Sequence, residues 1–295
     1  MPLAPRSKNH VVFLAGPALF TIVVLMALPM VLVLATSFLT SSVYGGAHMP
    51  VTAESYIRFV YGRDLDDVLV FDTTYLAVFA RSLIQAALAT VLCLLIGLPL
   101  AWYMATRPPG WRRFLVLLVT IPFWTNLLVR IYCWVLLLRD EGLVNQVLLA
   151  AGLTKTPVTF LYSDGAILMG IVYGSLPFMV LPIYAVLEKL DHRLIEAAYD
   201  LYAGRFAILR KLIWPLARPG VAAGALLVFV PSLGAFVAPY ILGGGKKLMI
   251  GSLIQQQFST ARDWSFGSAL SIILMAFVLA GLVWLARRRA SDFLS

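Results

Sequence analysis

The chain has 295 residues, of which 61% are hydrophobic and 13% charged, with a net charge of +9. Soluble domains carry roughly 25% charged residues. A water-soluble globule is therefore excluded, and lipid is the natural solvent for a sequence of mean hydropathy +0.90.

A membrane-crossing helix needs about 20 mostly apolar residues. In chain order, residues 11–38, 82–103, 114–138, 166–187, 221–242 and 266–286 meet that requirement. Backbone polar groups in lipid must be satisfied within the segment, which selects helices. The first stretch follows Arg6 and Lys8, as a secretion signal would. It exceeds the 7–15 apolar residues of a signal core, so a retained anchor is expected. Only the third stretch holds a charge, Arg130.

The cations orient the spans. With the N-terminus in the cytoplasm, the inner segments hold Arg6, Lys8, Arg107, Arg112, Arg113, Lys189, Arg193, Arg205, Arg210, Lys211, Arg218 and Arg287-Arg288-Arg289, fourteen of the 23 basic residues. The outer segments hold eight, together with nine of the fourteen acids. Both termini are thus expected in the cytoplasm. The positive charge is topological, and a nucleic-acid partner is not implied.

The longest outer segment, residues 39–81, carries Asp64, Asp66, Asp67 and Asp72 without the regular spacing of a calcium loop, and reads as a solvated loop. Residues 142–153 are apolar but too short to span, which suits an interfacial or re-entrant helix. Cys93 and Cys133 lie in apolar runs without a CxxC spacing, which points to core packing. His10, His48 and His192 form no HExxH, and no GxSxG occurs. Gly243-Gly244-Gly245-Lys246-Lys247 lacks the spacing of a nucleotide-binding loop and reads as an outer turn. The chain is therefore expected to hold no cofactor, and any work done with ATP and Mg belongs to a partner.

The inner segment 188–220 is patterned. Asp191 suits a helix start. Leu194, Ala198 and Leu201 fall on one apolar stripe, with Glu196 and Asp200 on another face. Gly204 suits a helix stop. Residues 205–216 read as a second short helix, and Pro215 and Pro219 punctuate entry into the fifth span. A helix–turn–helix with a small apolar stripe is suited to a groove on another protein.

Glu196-Ala197-Ala198 followed by Ala203, Ile213, Pro215, Pro219 and Gly220 resembles the EAA signature of ABC-importer permeases. The resemblance implies an all-α integral membrane protein with six transmembrane helices and the type I importer permease (MetI-like) fold. It also implies a coupling helix that fits a cleft on an ATPase subunit, with Glu196 meeting a basic residue there. On that pattern the coupling residues are Glu196, Ala197, Ala198, Leu201, Tyr202, Ala203, Gly204 and Pro215. The glycine usual in the family six residues after the glutamate is Tyr202 here, and Gly204 is expected to supply the turn.

Pro122-Phe123-Trp124-Thr125-Asn126 and Arg130-Ile131-Tyr132 are similar to the third span of spermidine/putrescine-type permeases. So are Phe229–Gly234 with Pro239 and Leu242-Gly243-Gly244, and Met249-Ile250-Gly251 with Gln255 and Arg262-Asp263-Trp264. This resemblance implies a five-helix core plus an N-terminal helix. It further implies a second, homologous permease subunit, two copies of an ATPase subunit and a periplasmic solute-binding protein, in a bacterial inner membrane. The domain organisation expected is an anchor with an outer loop over 1–81, a core over 82–287 and a cytoplasmic tail over 288–295.

Candidates for the solute path are Trp124, Asn126, Arg130, Tyr132, Pro231, Gly234, Ala235 and Tyr240. A charge within a span faces a cavity or a partner. Arg130 fits a lining role, a snorkelling role near the helix end, or a pairing role with a carbonyl or an acid. Tryptophan at helix ends anchors at the interface, a role open to Trp124. Pro231 and Gly234 can break a helix and leave carbonyls for a cavity. Gly170 and Gly174, and Gly220 and Gly224, form GxxxG pairs that permit close helix contact.

Permeases of this type often carry acids where Ala235 and Tyr240 stand. Either the partner permease supplies acids, or the solute is neutral, zwitterionic or anionic, amino-acid-like or opine-like rather than polyamine-like. Two rival readings are an ion-driven secondary carrier, for which no span offers an acid, and an intramembrane enzyme, for which no constellation exists.

Overall fold

The computed structural model describes residues 8–42, 45–63 and 69–292. Arg6, Asp64, Asp66 and Asp67 fall outside these residues. In chain order the elements are α1 (Lys8–Ser37), β1 (Leu39–Ser41), β2 (Ala47–Val51), α2 (Glu54–Ile57), β3 (Tyr61–Arg63), β4 (Leu69–Phe71) and α3 (Thr74–Ala105). Then come α4 (Pro109–Trp124), α5 (Leu127–Leu138), α6 (Leu143–Ala150), α7 (Asp164–Leu187), α8 (His192–Asp200), α9 (Arg205–Ile208), a π turn (Leu209–Ile213), α10 (Trp214–Leu233), α11 (Val237–Leu242), α12 (Ile250–Ser259) and α13 (Trp264–Asp292). Among the described residues, five helices are long and apolar enough to cross a membrane, or six if the bent pair α4 and α5 counts as one span.

Two expected spans are interrupted. The third bends by 91° between Pro109–Trp124 and Leu127–Ala150. Pro122 lies inside α4 and can donate no helix hydrogen bond, and Thr125 and Asn126 take extended backbone angles. Asn126 then restarts the helix, its side chain accepting from the Leu128 amide at 2.8 Å. The fifth span is shifted. Helical residues run without a gap from Arg205 to Leu233, so 205–216 is no separate helix and Pro215 and Pro219 make no break on entry; the break comes after Leu233, where Pro231 and Gly234 were read as able to make one.

The chain packs as two units. One comprises Met1–Tyr75 and Ile254–Ser295. In it α1 lies along α13, with Thr36 Oγ1 2.8 Å from Ser268 Oγ. The outer segment is more ordered than a solvated loop. β1 pairs with β2 and β3 with β4, both antiparallel. Asp263 accepts from Ser41 Oγ at 2.6 Å, from Arg58 Nη1 at 2.7 Å and from the Phe266 amide at 3.0 Å, so one carboxylate caps α13 and holds the hairpin segment to it. Asp72 accepts from the Thr74 amide and hydroxyl at 2.8 and 2.6 Å, which holds its carboxyl below the usual carboxylate range and caps α3.

The other unit is Leu76–Leu253. Its centre is the pairing of α7 with α10, where Met179, Ile183 and Leu187 meet Ala217 and Val228, with Cys93, Ala101 and Met104 of α3. Glycines permit this approach. A Cβ on Gly220 would lie 2.7 Å from the Pro182 carbonyl oxygen, and one on Gly224 would lie 2.8 Å from Met179 Sδ. A Cβ on Gly170 would meet Leu242 Cδ1 at 2.5 Å, whereas one on Gly174 would meet nothing within 4 Å. Three of these four glycines therefore serve packing and Gly174 does not. Cys93 is buried but Cys133 is exposed on α5, against the expectation for both. Apolarity is shared by core-facing and lipid-facing positions, so it could not separate them.

The segment 142–153 forms the short helix α6, pinned where Asn145 exchanges two hydrogen bonds of 2.9 Å with the Val158 backbone. Gly244 and Gly245 take the left-handed conformation at φ 62° and 71°, which makes 243–247 a true turn. The turn places Lys247 Nζ 3.1 Å from Asp164 Oδ2, opposite Arg81 Nε at 3.4 Å from Oδ1.

Candidate functional site

The first feature is a cleft of about 250 Å³ inside the Leu76–Leu253 unit. The stop of α10 creates it. Pro231 and Gly234 bring α10 to an end, and α11 resumes three residues later at Val237. Pro231, Ser232, Gly234, Ala235 and Phe236 form one wall, Gly170, Gly174 and Ser175 of α7 a second, and Leu127 and Ile131 of α5 a third. The lining carries two hydroxyls and no titratable side chain. Ser232 already donates to the Val228 carbonyl at 2.6 Å. Gly251 passes so close to the break that a Cβ there would lie 2.5 Å from the Gly234 carbonyl oxygen, so α12 begins directly against it.

The eight path candidates divide. Pro231, Gly234 and Ala235 line the cleft; Trp124, Asn126, Arg130, Tyr132 and Tyr240 do not. Trp124 ends α4 at 84% exposure, and Tyr132 and Tyr240 are exposed on α5 and α11. Asn126 is spent on capping α5. Arg130 is not mid-helix but in the first turn of α5, where its Nε is buried without a hydrogen-bond partner. Leu127, Arg130 and Ile131 share one helical face, so the cation sits beside the cleft wall. Ser175 and Leu127 were not singled out by sequence, and Gly174 was not singled out as a lining residue. Only Gly174 had a signal, and it was read as packing.

The second feature is the loop 188–220. Asp191 caps α8 by accepting from the Arg193 amide at 3.0 Å. The stop differs from the expectation. Gly204 does not supply it; Tyr202 does, at φ 56°. The Ala203 amide reaches the Ala198 carbonyl at 3.0 Å and the Tyr202 amide reaches Tyr199 at 2.8 Å, the paired bonds of a Schellman stop. The apolar stripe also turns. Ile195, Ala198 and Ala203 pack on the core, while Leu194, Ala197 and Leu201 face outward. Glu196 and Asp200 are exposed beside that outward face.

Pro215 follows the π turn directly. Proline lacks an amide hydrogen and its ring crowds the carbonyl four residues earlier. A widened turn relieves both without ending the helix. The result is one helix that leads from the loop, past α7, to the cleft.

Spanning helices, a broken-helix cleft among them and a patterned polar-side loop define a membrane transport permease. Residues 94–290 match the family model of the binding-protein-dependent transport system inner membrane component. The chain is 39% identical over 274 residues to the spermidine/putrescine transport system permease protein PotB of Escherichia coli K12, covering 93% of this chain and 95% of that one. It is 41% identical over 255 residues to PotB of Haemophilus influenzae, covering 85% of each. The fold matches a bacterial alginate ABC transporter crystallised with an alginate pentasaccharide-bound periplasmic protein, with a TM-score of 0.71 at 15% identity over 94% of this chain and 92% of that one. The chain belongs to the family of binding-protein-dependent transport system inner membrane components. It is a permease component of an ABC importer with the MetI-like fold, an inner-membrane protein in that family's setting.

Proposed function

We propose that this chain is one half of a heterodimeric importer that moves a small solute from periplasm to cytoplasm, with ATP and Mg held on two copies of a partner ATPase and no cofactor in the chain itself. Its other partners are a homologous permease subunit, a periplasmic solute-binding protein and the surrounding lipid. The chain breaks no bond in the solute and is not itself an enzyme. Both termini face the cytoplasm. Residues 1–81 serve as anchor and outer loop, 82–287 as the permease core and 288–295 as a tail.

The observation that carries this reading is the unbroken helical run Arg205–Leu233, which joins the loop at one end to the cleft at the other. Docking of Glu196 and its neighbours on the ATPase moves α8. The run passes that movement to Gly234, and the cleft opens to alternate sides as in rigid-body alternating access.

The solute is proposed to be neutral, zwitterionic or anionic. The PotB relatives are named for spermidine and putrescine. The cleft lining here has no carboxylate, and Arg130 stands beside its wall. A desolvated polycation is disfavoured by both.

The test is purification and uptake of the assembled importer. An ATPase subunit should co-purify, and a labelled solute should enter only with ATP. A chain that purifies without an ATPase and transports on an ion gradient alone would sink the reading. Competition then addresses the solute: selective inhibition by putrescine and spermidine alone, retained in Arg130→Gln, would overturn the charge assignment.

A further inference from the structure

The segment between α1 and α3 holds a cavity that transport leaves unused. It measures about 300 Å³, the lower end of small-ligand sites, and lies wholly within the unit that contains α1 and α13. Unlike the cleft, it is lined by charge: Glu54 and Arg58 at the two ends of α2, with the hydroxyl residues Thr40, Thr52 and Ser55. Arg58 is held in place, donating to Asp263 Oδ2 at 2.7 Å with its guanidinium 4.5 Å from the centre of the Phe266 ring. A guanidinium has five N–H donors. Beyond the bond to Asp263, this one has no hydrogen-bond partner among the described residues. Thr52 Oγ1 is buried with no partner among them either. Buried polar groups left unpaired are costly, so the wall of this cavity is short of acceptors.

We propose that this cavity binds the headgroup of a zwitterionic phospholipid, phosphatidylethanolamine, with its phosphate on Arg58 and the hydroxyls and its ammonium on Glu54. Charge selects the class. Among the described side chains, the ionised groups about the cavity are Arg58 and Glu54 on its wall, Asp263 bonded to Arg58, and Arg262 packed on Gly45 in the same hairpin, two of each sign. His48, opposite Thr40, is the titratable neighbour. A purely anionic or purely cationic ligand meets repulsion here, whereas a zwitterion with its ends ordered meets none. The Arg58 amide donates to the Glu54 carbonyl at 2.8 Å, one helical turn, so the two side chains start about 5–6 Å apart. That spacing suits the phosphate and ammonium of one headgroup.

Position selects a lipid. The cavity sits where α1 ends at Ser37 and α13 begins at Trp264, with Phe38 and Trp264 exposed, the level at which aromatic side chains meet the membrane interface. Between Val23 and Leu32, α1 lines an apolar groove of about 320 Å³. The exposed Leu34, Ala35 and Phe38 continue that side of the helix to Leu39 on the cavity wall. The groove takes an acyl chain and the cavity its headgroup. The site stands apart from coupling to an ATPase and does not depend on it.

The test is native mass spectrometry of the full chain in detergent, offered equal phosphatidylethanolamine and phosphatidylglycerol. Wild type should retain the first about tenfold over the second. Glu54→Gln should lose that preference and gain phosphatidylglycerol. Thr52→Val should unfold at the same temperature as wild type or higher, yet retain several-fold less phosphatidylethanolamine. Equal retention of the two lipids by wild type, or an unchanged preference in both variants, would overturn the site. Soluble glycerophosphoethanolamine that displaces the lipid at equal concentration would make it a site for free zwitterions and overturn the lipid assignment. A benzophenone side chain placed at Ala35 in the membrane should capture lipid on illumination; capture of another protein subunit instead would also overturn it.

Discussion

The two ends of α10 carry the same helix-breaking residue and come out differently. At the N-terminal end Pro215 and Pro219 lie within a helical run that continues from Arg205 to Leu233. At the C-terminal end Pro231 is followed three residues later by the stop at Gly234. The surroundings separate them. Gly220 and Gly224 seat the N-terminal part on α7, and a π turn takes up the crowding before Pro215. Pro231 lines the cleft instead. Continuity of a proline-bearing helix is thus set by what packs against it.

The largest expected effect comes from adding bulk to the braced end. Gly220→Leu and Gly224→Leu force a Cβ and more into the α7 backbone or Met179. Overpacking of this kind costs about 1–3 kcal/mol or more, and thermal unfolding in detergent should show it. Gly174→Ala, one turn along the other pair and facing open space, should stay within about 0.5 kcal/mol. Equal losses at both sites would break the contrast.

Deleting Lys211 should convert the π turn to α-helix. It would rotate α8 and α9 by about 100° relative to α10. Membrane insertion should survive while ATP-driven uptake is lost; unchanged uptake would show that the inner run does not transmit. Glu196→Ala should act in the same direction through a lost charge-assisted contact of about 1.5–3 kcal/mol, visible as reduced ATPase stimulation. Ala198→Trp is a poorer probe of docking, because Ala198 packs on the chain's own core.

Smaller effects belong to the caps. Asn126→Ala should cost about 1 kcal/mol by leaving the start of α5 uncapped, measurable as a lower unfolding temperature. Asp72 sharpens the picture least. Its carboxyl is held below the ordinary value of 3.8 by the bonds from Thr74, so it favours the folded state above that value and the contribution fades as pH falls through the lowered one. Hydrogen exchange at the start of α3 should rise over that acid range in the native chain and not in Asp72→Asn.

Several features were legible before any fold was known. Asp191 was placed as a cap from its position before an amphipathic run, and it is one. Pro231 with Gly234 marked a break that the structure places at the cleft. Others were not. Leu194, Ala198 and Leu201 fit one stripe by spacing, but α8 is buried on the side of Ile195 and Ala198, so only the neighbouring core reveals which stripe faces in. Gly204 looked like the stop because glycine is the usual left-handed residue; the hydrogen bonds put Tyr202 there instead.

Spans, their approximate lengths and the polarity of the loops followed from the sequence alone, because the cost of unsatisfied backbone and of charge in lipid is local and can be read residue by residue. The bend after Trp124, the identity of the residues around the cleft, the berth of Arg130 in the first turn of α5 and the outward turn of Tyr202 were decided only by tertiary structure. Each depends on which neighbour lies opposite a given face. In a chain this apolar, hydrophobicity cannot distinguish a core-facing side chain from a lipid-facing one.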